Sequence, residues 1–426
     1  MRRKHILAAV TFGVMLTATM HAQSELYPQH FDLEDVTLGS GPLKTAQDKN
    51  FTTLLAYNHY RLLTPFVRQA GLSDDSNNET YYNWTTTYPN FSNWGGGSFD
   101  LSGHVGGHYL TALALAYAAC HDAETKTSLK TRMDYMVTVL KDCQDAYDSN
   151  TTGLYGFIGG QPINSAWESL YTGSTSAING YGGWVPWYCQ HKIMAGLRDA
   201  YVYGGNETAK TVFLKLCDWA INVVASVSDA DMETMLNTEH GGVNEVLLDA
   251  YVLTKEEKYL TAAKRFTHKT MLNGLQSLNT TFLDNKHANT QVPKYIGMER
   301  IYEADATATT YETAAENFWT DVAENRTLCI GGNSYNEFFQ ATSAANRYID
   351  YLNGPESCNT NNMLKMSEMM FDRTHEAKYV DFYEYGMWNP YSPRRTPRRA
   401  SMSTSPRCAH RATASTRQST PRCGAA

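Results

Sequence analysis

The sequence predicts an all-α fold, an (α/α)6 toroid of helical hairpins, and three observations carry that prediction. From Gly103 onward one pattern recurs: a helix that ends in Tyr or Phe, a short turn, and a second helix with an acidic start. Its copies run through LALAYAACHDAETK, AGLRDAYVYGGNETAK, EVLLDAYVLTKEEKYL, GMERIYEADATATTYE and MLKMSEMMFDRTHEAK, with the matching Tyr201, Tyr251 and Tyr302 spaced 50 and 51 residues apart. Apolar residues at helical spacing in every copy mark stacked αα-hairpins. Five copies, together with an amphipathic helix over Lys49 to Gly71 and a partner for it, make about six hairpins, enough to close a ring. In such a ring the loops at one end gather around a central pocket.

Taken from the N-terminus, Arg2-Arg3-Lys4 precedes the apolar run Ile6 to Met20 and a small residue at Ala22. That is the layout of a secretory signal peptide over residues 1–22, so the mature chain is expected to be secreted or periplasmic. No later stretch reaches the ~18 uninterrupted apolar residues of a membrane span. At 426 residues, 42% apolar and 12% aromatic, the chain can bury a large core. Plentiful Trp, Tyr and Asn with 19% charged residues suit a carbohydrate enzyme or binder. A net charge of −7, without basic stripes before residue 390, argues against nucleic acid. Eight cysteines show no CxxC spacing and read mostly as buried apolar residues, with Cys358 the exception.

Phe31 to Leu43 reads as an extended lead-in to a domain over residues 31–389. The long loop Asp74 to Gly103, with Trp84, Tyr88, Trp94 and Gly95-Gly96-Gly97, is expected to help roof a cleft. Loops between copies carry the polar residues: Gly182-Gly183-Trp184, Gln190-His191-Lys192, Glu239-His240-Gly241-Gly242 and His287-Ala288-Asn289-Thr290-Gln291. His191, His240 and His287 thus stand at corresponding ends of hairpins, where a toroid builds its pocket; each alone would read as a structural histidine. His104 and His108 in GHVGGHY share a helix face but lack the Glu of HExxH, and read as loop-bonding residues as readily as pocket residues.

The stretch Gly331 to Lys365 concentrates the chemistry. Gly331-Gly332 lets the backbone take φ > 0 or pass close to a ligand. Glu337 is the candidate general acid or base, because desolvation by Phe338 and Phe339 would raise its pKa as a proton donor requires; a loop-capping carboxylate is the alternative. Glu356 and Cys358 would project from the same side of an extended backbone and could hold a metal, although two donors match no closed zinc pattern. Asn359, Asn361 and Asn362 add amides for a sugar hydroxyl, just before an apolar helical run from Met363 to Phe371.

After Asn389 the composition changes abruptly: residues 390–426 hold eight Arg, no acidic residue and Tyr391 as the one aromatic. A basic disordered tail, a linker and an out-of-frame translation all fit, and the stop in mid-pattern at YVDFYEYGMWN favours the last.

In order, GGHYLTALALAYAA, WYCQHKIMAGLRDAY, LNTEHGGVNEVLLDAY, KHANTQVPK, GGNSYNEFF and PESCNTNNMLK resemble blocks of glycoside hydrolase family 127, whose type activity is β-L-arabinofuranosidase. The resemblance spans roughly Phe31 to Asn389. It implies a retaining glycosidase for plant-type, arabinose-containing glycans on an (α/α)6 barrel, followed by β-sandwich domains. It further implies a zinc-bound cysteine thiolate as nucleophile and a glutamate as acid/base. By motif, Glu337 falls on the acid/base, Glu356 and Cys358 on two zinc ligands, and His240 and His287 on residues that contact the sugar; His191 lies in a matching block. Coordination deprotonates a thiol, which can then attack the anomeric carbon while the acid protonates the leaving group. The chain departs from the family in lacking the later Cys-Cys pair, which there supplies the nucleophile and another ligand, and the β-sandwich. Cys408 and Cys423 stand alone in the arginine-rich segment. The expectation is an exported hydrolase-type barrel that is inactive as given. A non-catalytic glycan-binding toroid is the alternative, and a sugar epimerase is a third reading by fold analogy.

Overall fold

The computed structural model describes residues 22–91, 101–179, 185–344 and 354–391. The signal peptide before Ala22, Trp94 with its three glycines, Gly182-Gly183-Trp184 and the arginine-rich segment after Tyr391 lie outside the described residues. The expected single helix from Lys49 to Gly71 is two, α1 (Pro42–Ala56) and α2 (His59–Gln69), separated at Tyr57-Asn58. The break has a local cause: the Asn58 side chain accepts a hydrogen bond from Arg61 N and caps α2.

The five sequence copies are five helical hairpins. They are α3 (His104–Ala118) with α4 (Ala123–Asp145), α5 (Pro186–Val202) with α6 (Glu207–Val223), α7 (Val243–Thr254) with α8 (Glu257–Arg265), α9 (Ala288–Ala304) with α10 (Thr309–Thr320), and α11 (Ser357–Thr374) with α12 (Ala377–Gly386). The first helix of each pair packs on the first helix of the next, so α3, α5, α7, α9 and α11 form an inner layer and their partners an outer one. This is the all-α toroid the repeats predict; the described residues hold no strand, only isolated bridges.

Burial explains which helix goes inside. In α9 every residue from Thr290 to Ile301 is buried, so the helix must be covered all round. In α6 the buried positions are Ala209, Val212, Phe213, Leu216, Cys217, Trp219, Ala220 and Val223, the stripe of an outer helix with one wet face. Three hairpins turn through a left-handed residue after the inner helix: Gly205, Lys255 and His375, at φ 64°, 60° and 58°. The inner helices α3 and α5 cross with backbones in contact. A Cβ on Gly107 would lie 2.2 Å from the Lys192 carbonyl oxygen, and one on Gly196 would lie 2.6 Å from the Gly107 oxygen.

Between the layers, Trp167–Trp187, Trp167–Trp219 and Trp187–Phe266 meet edge-on at centroid distances of 4.8–5.2 Å, with Trp187 and Trp219 tilted at 5.8 Å, and tie the second and third hairpins together. Inside, near the C-terminal ends of the inner helices, Asp249 of α7 is fully buried between Arg198 of α5 and Arg300 of α9, the latter at 2.9 Å. Arg198 also reaches Glu245 at 3.2 Å. The segment from Ala22 to Leu33 closes this end: the Tyr27 ring faces the Arg300 guanidinium at 5.5 Å, and His30 bonds Asp372 at 2.5 Å. The described part of the 74–103 loop does not roof the ring. Trp84 instead enters the core and donates its indole N–H to Thr64 Oγ1 at 3.1 Å. Among the described residues no helix is long and apolar enough to cross a membrane.

Candidate active site

A cavity of about 640 Å³ runs down the middle of the inner layer, from the first turns of α3, α5 and α11 to the Tyr27 segment. Its upper wall includes His108, His191, Lys192, Asn361, Asn362 and Lys365. His191 is held by its own neighbours: Gly242 N donates to His191 Nδ1 at 3.0 Å. Gly241, at φ 58°, could carry no Cβ there, since that atom would sit 2.5 Å from the same nitrogen. The glycine pair after His240 is therefore the seat of the His191 ring.

Glu337 rides on a loop that the sequence only partly foreshadows. Its base is clamped by the fully buried Arg326, which bonds Asp321 at 2.7 Å, the Gln340 carbonyl at 2.7 Å and Asp284 at 3.0 Å. Gly331 takes φ 80°, as expected of the pair, and Gly332 makes room for Pro355, which a Cβ there would meet at 2.5 Å. Beyond it Ser334, Asn336 and Glu337 all adopt positive φ, at 100°, 47° and 73°. Non-glycine residues in that region cost about 1–3 kcal/mol each and concentrate where function over-determines the backbone. The loop then pairs with the start of α9: Ala288 N donates to Glu337 O at 2.8 Å, and Phe339 N to Lys286 O at 2.9 Å.

That pairing sets Glu337 Oε2 3.7 Å from His287 Nε2, with Phe338 edge-on to the imidazole at 5.4 Å. His287 is the cap of α9, and its Nδ1 accepts from Thr290 N at 3.2 Å. The expected desolvation of Glu337 is corrected here. Its side chain is 49% exposed, because Phe339 turns into the core while Phe338 lies open beside it.

Glu356 and Cys358 also differ from the expected geometry. They sit on no extended strand; Glu356 is the cap of α11 and Cys358 lies in its first turn. The helix start still brings them together, with Cys358 Sγ donating to Glu356 Oε2 at 3.6 Å. Burial, with the Glu356 charge second, pushes the Cys358 thiol up to about 12. Among the described residues no group of three His, Cys, Asp or Glu converges as a metal site. A tetrahedral zinc needs four donors, and this pair supplies two, so the described residues by themselves do not fit the ion.

Among the described residues that line the cavity none is Glu337, His287, Glu356 or Cys358; the two pairs are linked to one another indirectly, through neighbouring side chains. Asn362 of α11, which lines the cavity, donates to Asn289 Oδ1 of α9 at 2.9 Å, and Asn359 donates to Ser334 Oγ of the Glu337 loop at 2.8 Å. His240 does not join them. It is buried, its ring 6.3 Å from that of His268 and its Nε2 without a hydrogen-bond partner among the described residues.

Sequence reasoning did not single out Lys294, and it took Lys192 and Glu239 only as members of polar loops. Burial pushes both Lys192 and Lys294 down to about 8, and the carboxylate they feel most is Glu239. The signal was present in QVPKYIGM, where a lysine is the one charge in the first three turns of the helix.

A profile of the family described as "Beta-L-arabinofuranosidase, GH127 catalytic domain" matches residues 35–418. The chain belongs to this glycoside hydrolase family. Two solved GH127 structures share the fold. One is titled a GH127 β-arabinofuranosidase, at TM-score 0.56 and 15% identity, covering 84% of this chain and 53% of that one. The other is a GH127 β-L-arabinofuranosidase from Geobacillus stearothermophilus T6, at TM-score 0.53 and 15% identity, covering 83% and 55%. The chain thus spans about half the length of these GH127 structures. No curated protein sequence matches it.

The mouth of this GH127 barrel carries a pH liability. Burial first, and Lys294 second, holds His240 well below its usual value, and the same two causes push His268 down to about 4. His191 is lowered likewise by burial and Lys192. Unfolded histidines protonate near pH 6.5 while these stay neutral in the fold. Stability is therefore full above pH 6.5 and falls as pH drops from 6.5 towards 4. Urea unfolding at pH 7 and pH 5 should differ by roughly 2 kcal/mol per buried histidine; equal stabilities would contradict their neutral burial.

Proposed function

We propose that this chain is the barrel of an exported, arabinofuranosidase-type hydrolase that recognises arabinofuranosyl glycans at the site described above. In this reading Glu337 moves the proton at the glycosidic oxygen, His191 and His287 hold the sugar, and His240 backs them from a buried position. What supports it is that the loop of the Glu337–His287 pair and the helix start of the Glu356–Cys358 pair are joined by the Asn362–Asn289 and Asn359–Ser334 bonds, with Asn362 itself on the cavity wall. A half-exposed carboxylate suits the role, since a bound glycan would itself exclude the water that the two phenylalanines do not.

Retaining hydrolysis also requires a nucleophile on the face of the sugar opposite the acid. The family-type cysteine pair is not among the described residues, so we expect binding without turnover. With zinc present, 4-nitrophenyl β-L-arabinofuranoside should release nitrophenolate at the buffer rate, while an arabinofuranosyl oligosaccharide raises the unfolding temperature. Release that Glu337→Gln abolishes would overturn the absence of turnover. No thermal shift with any arabinofuranosyl glycan would overturn the recognition.

Zinc belongs to the same proposal, with Glu356 and Cys358 as its first two ligands. Titration calorimetry should find binding no tighter than on the order of micromolar, removed by Cys358→Ser, because half of a four-donor set is available. Nanomolar affinity would mean that further donors join the pair.

A further inference from the structure

The charges that line the central cavity are paired with one exception. Arg198 is taken up by Asp199, Glu245 and Asp249, and Lys365 by Glu245. His30 faces Asp372 and Glu368 at the far end. Lys192, on the upper wall, makes no ion pair and no hydrogen bond with the described residues. Its ammonium rests against the Tyr188 ring at 4.7 Å, and the carboxylates that act on it, Glu239 first and Glu245 after, form no ion pair with it. An ammonium on a half-buried cavity wall with no ion-pair partner among the described residues can take a ligand carboxylate without first breaking a salt bridge. Tyr188 cannot supply the charge: burial holds its phenol well above its usual value, so it stays neutral. Around Lys192, His108 and the Asn361 and Asn362 amides offer neutral partners for hydroxyls. A sugar seated there would meet one unneutralised cation amid hydrogen-bonding groups.

We propose that the cavity takes a carboxylate-bearing sugar, a uronate or similar acidic residue of the glycan, with Lys192 as the partner of its carboxylate. This rests on the glycan-recognition reading above and narrows its substrate class. The test uses the full chain and titration calorimetry with oligogalacturonides, their methyl esters, and a neutral arabinofuranosyl oligosaccharide. The ester keeps the shape and removes the charge. The acid should bind at least about tenfold tighter than the ester, the scale of one hydrogen bond to a charged group. Lys192→Met should bring the acid down to the ester's affinity and leave the ester unchanged, while Lys192→Arg keeps the preference and controls for folding. Equal binding of acid and ester, or equal losses for both in Lys192→Met, would overturn the proposal. If the neutral arabinofuranosyl ligand binds and the acid does not, this inference alone falls. If none of the three binds, the recognition reading falls with it.

Discussion

Asp249→Ala should lower the unfolding free energy by about 3–5 kcal/mol, measured by urea denaturation at pH 7. Burial works against ionisation of this side chain, but Arg198 and Arg300 overcome it and hold its carboxyl below the usual range. Removing it leaves two guanidiniums, each 7% exposed, facing one another across the ring without the acid between them. Arg198 keeps Asp199 and Glu245, and Arg300 keeps Glu303, so both stay partly paired while the link between α5, α7 and α9 is gone. The same substitution loosens the floor under Tyr27, and the segment from Ala22 to Leu33 should become protease-sensitive. A loss below about 1 kcal/mol would place the cohesion of the inner layer elsewhere.

Gly107→Ala should be the most damaging methyl in the inner layer. Its Cβ would lie 2.2 Å from the Lys192 oxygen and 2.7 Å from Ile193 N, and both are backbone atoms that cannot rotate away. α3 and α5 must part, at the upper end of the ~1–3 kcal/mol typical of overpacking. The displaced backbone carries His191 and Lys192, so ligand binding should fall with stability. Gly39→Ala is the control: nothing lies within 4 Å of its Cβ, and a change within ~0.5 kcal/mol is expected. Equal melting temperatures for the two variants would contradict the close crossing.

The ring was legible because its period is carried by whole helices. Tyr201, Tyr251 and Tyr302 recur towards the ends of α5, α7 and α9, but the all-round burial of those helices was not legible, because they carry buried charges such as Arg198, Asp249 and Arg300. The family blocks were legible too, as with EHGG, whose glycines make room for His191. Backbone detail was not. Two residues apart reads as one side of a strand, but Glu356 and Cys358 meet equally well across a helix start. The exposure of Glu337 follows from positive φ at Ser334, Asn336 and Glu337, which no residue type there announces. Lys294 was passed over because a lysine on a helix normally marks its solvent face.

The account stands on Glu337, His287, Glu356 and Cys358 forming one sugar site, and calorimetry with an arabinofuranosyl oligosaccharide tests it most directly. His287→Asn, which keeps a capping side chain, and Cys358→Ser, drawn from the two different pairs, should each weaken binding about tenfold or more with little change in melting temperature. Binding that either variant leaves intact would contradict a shared site.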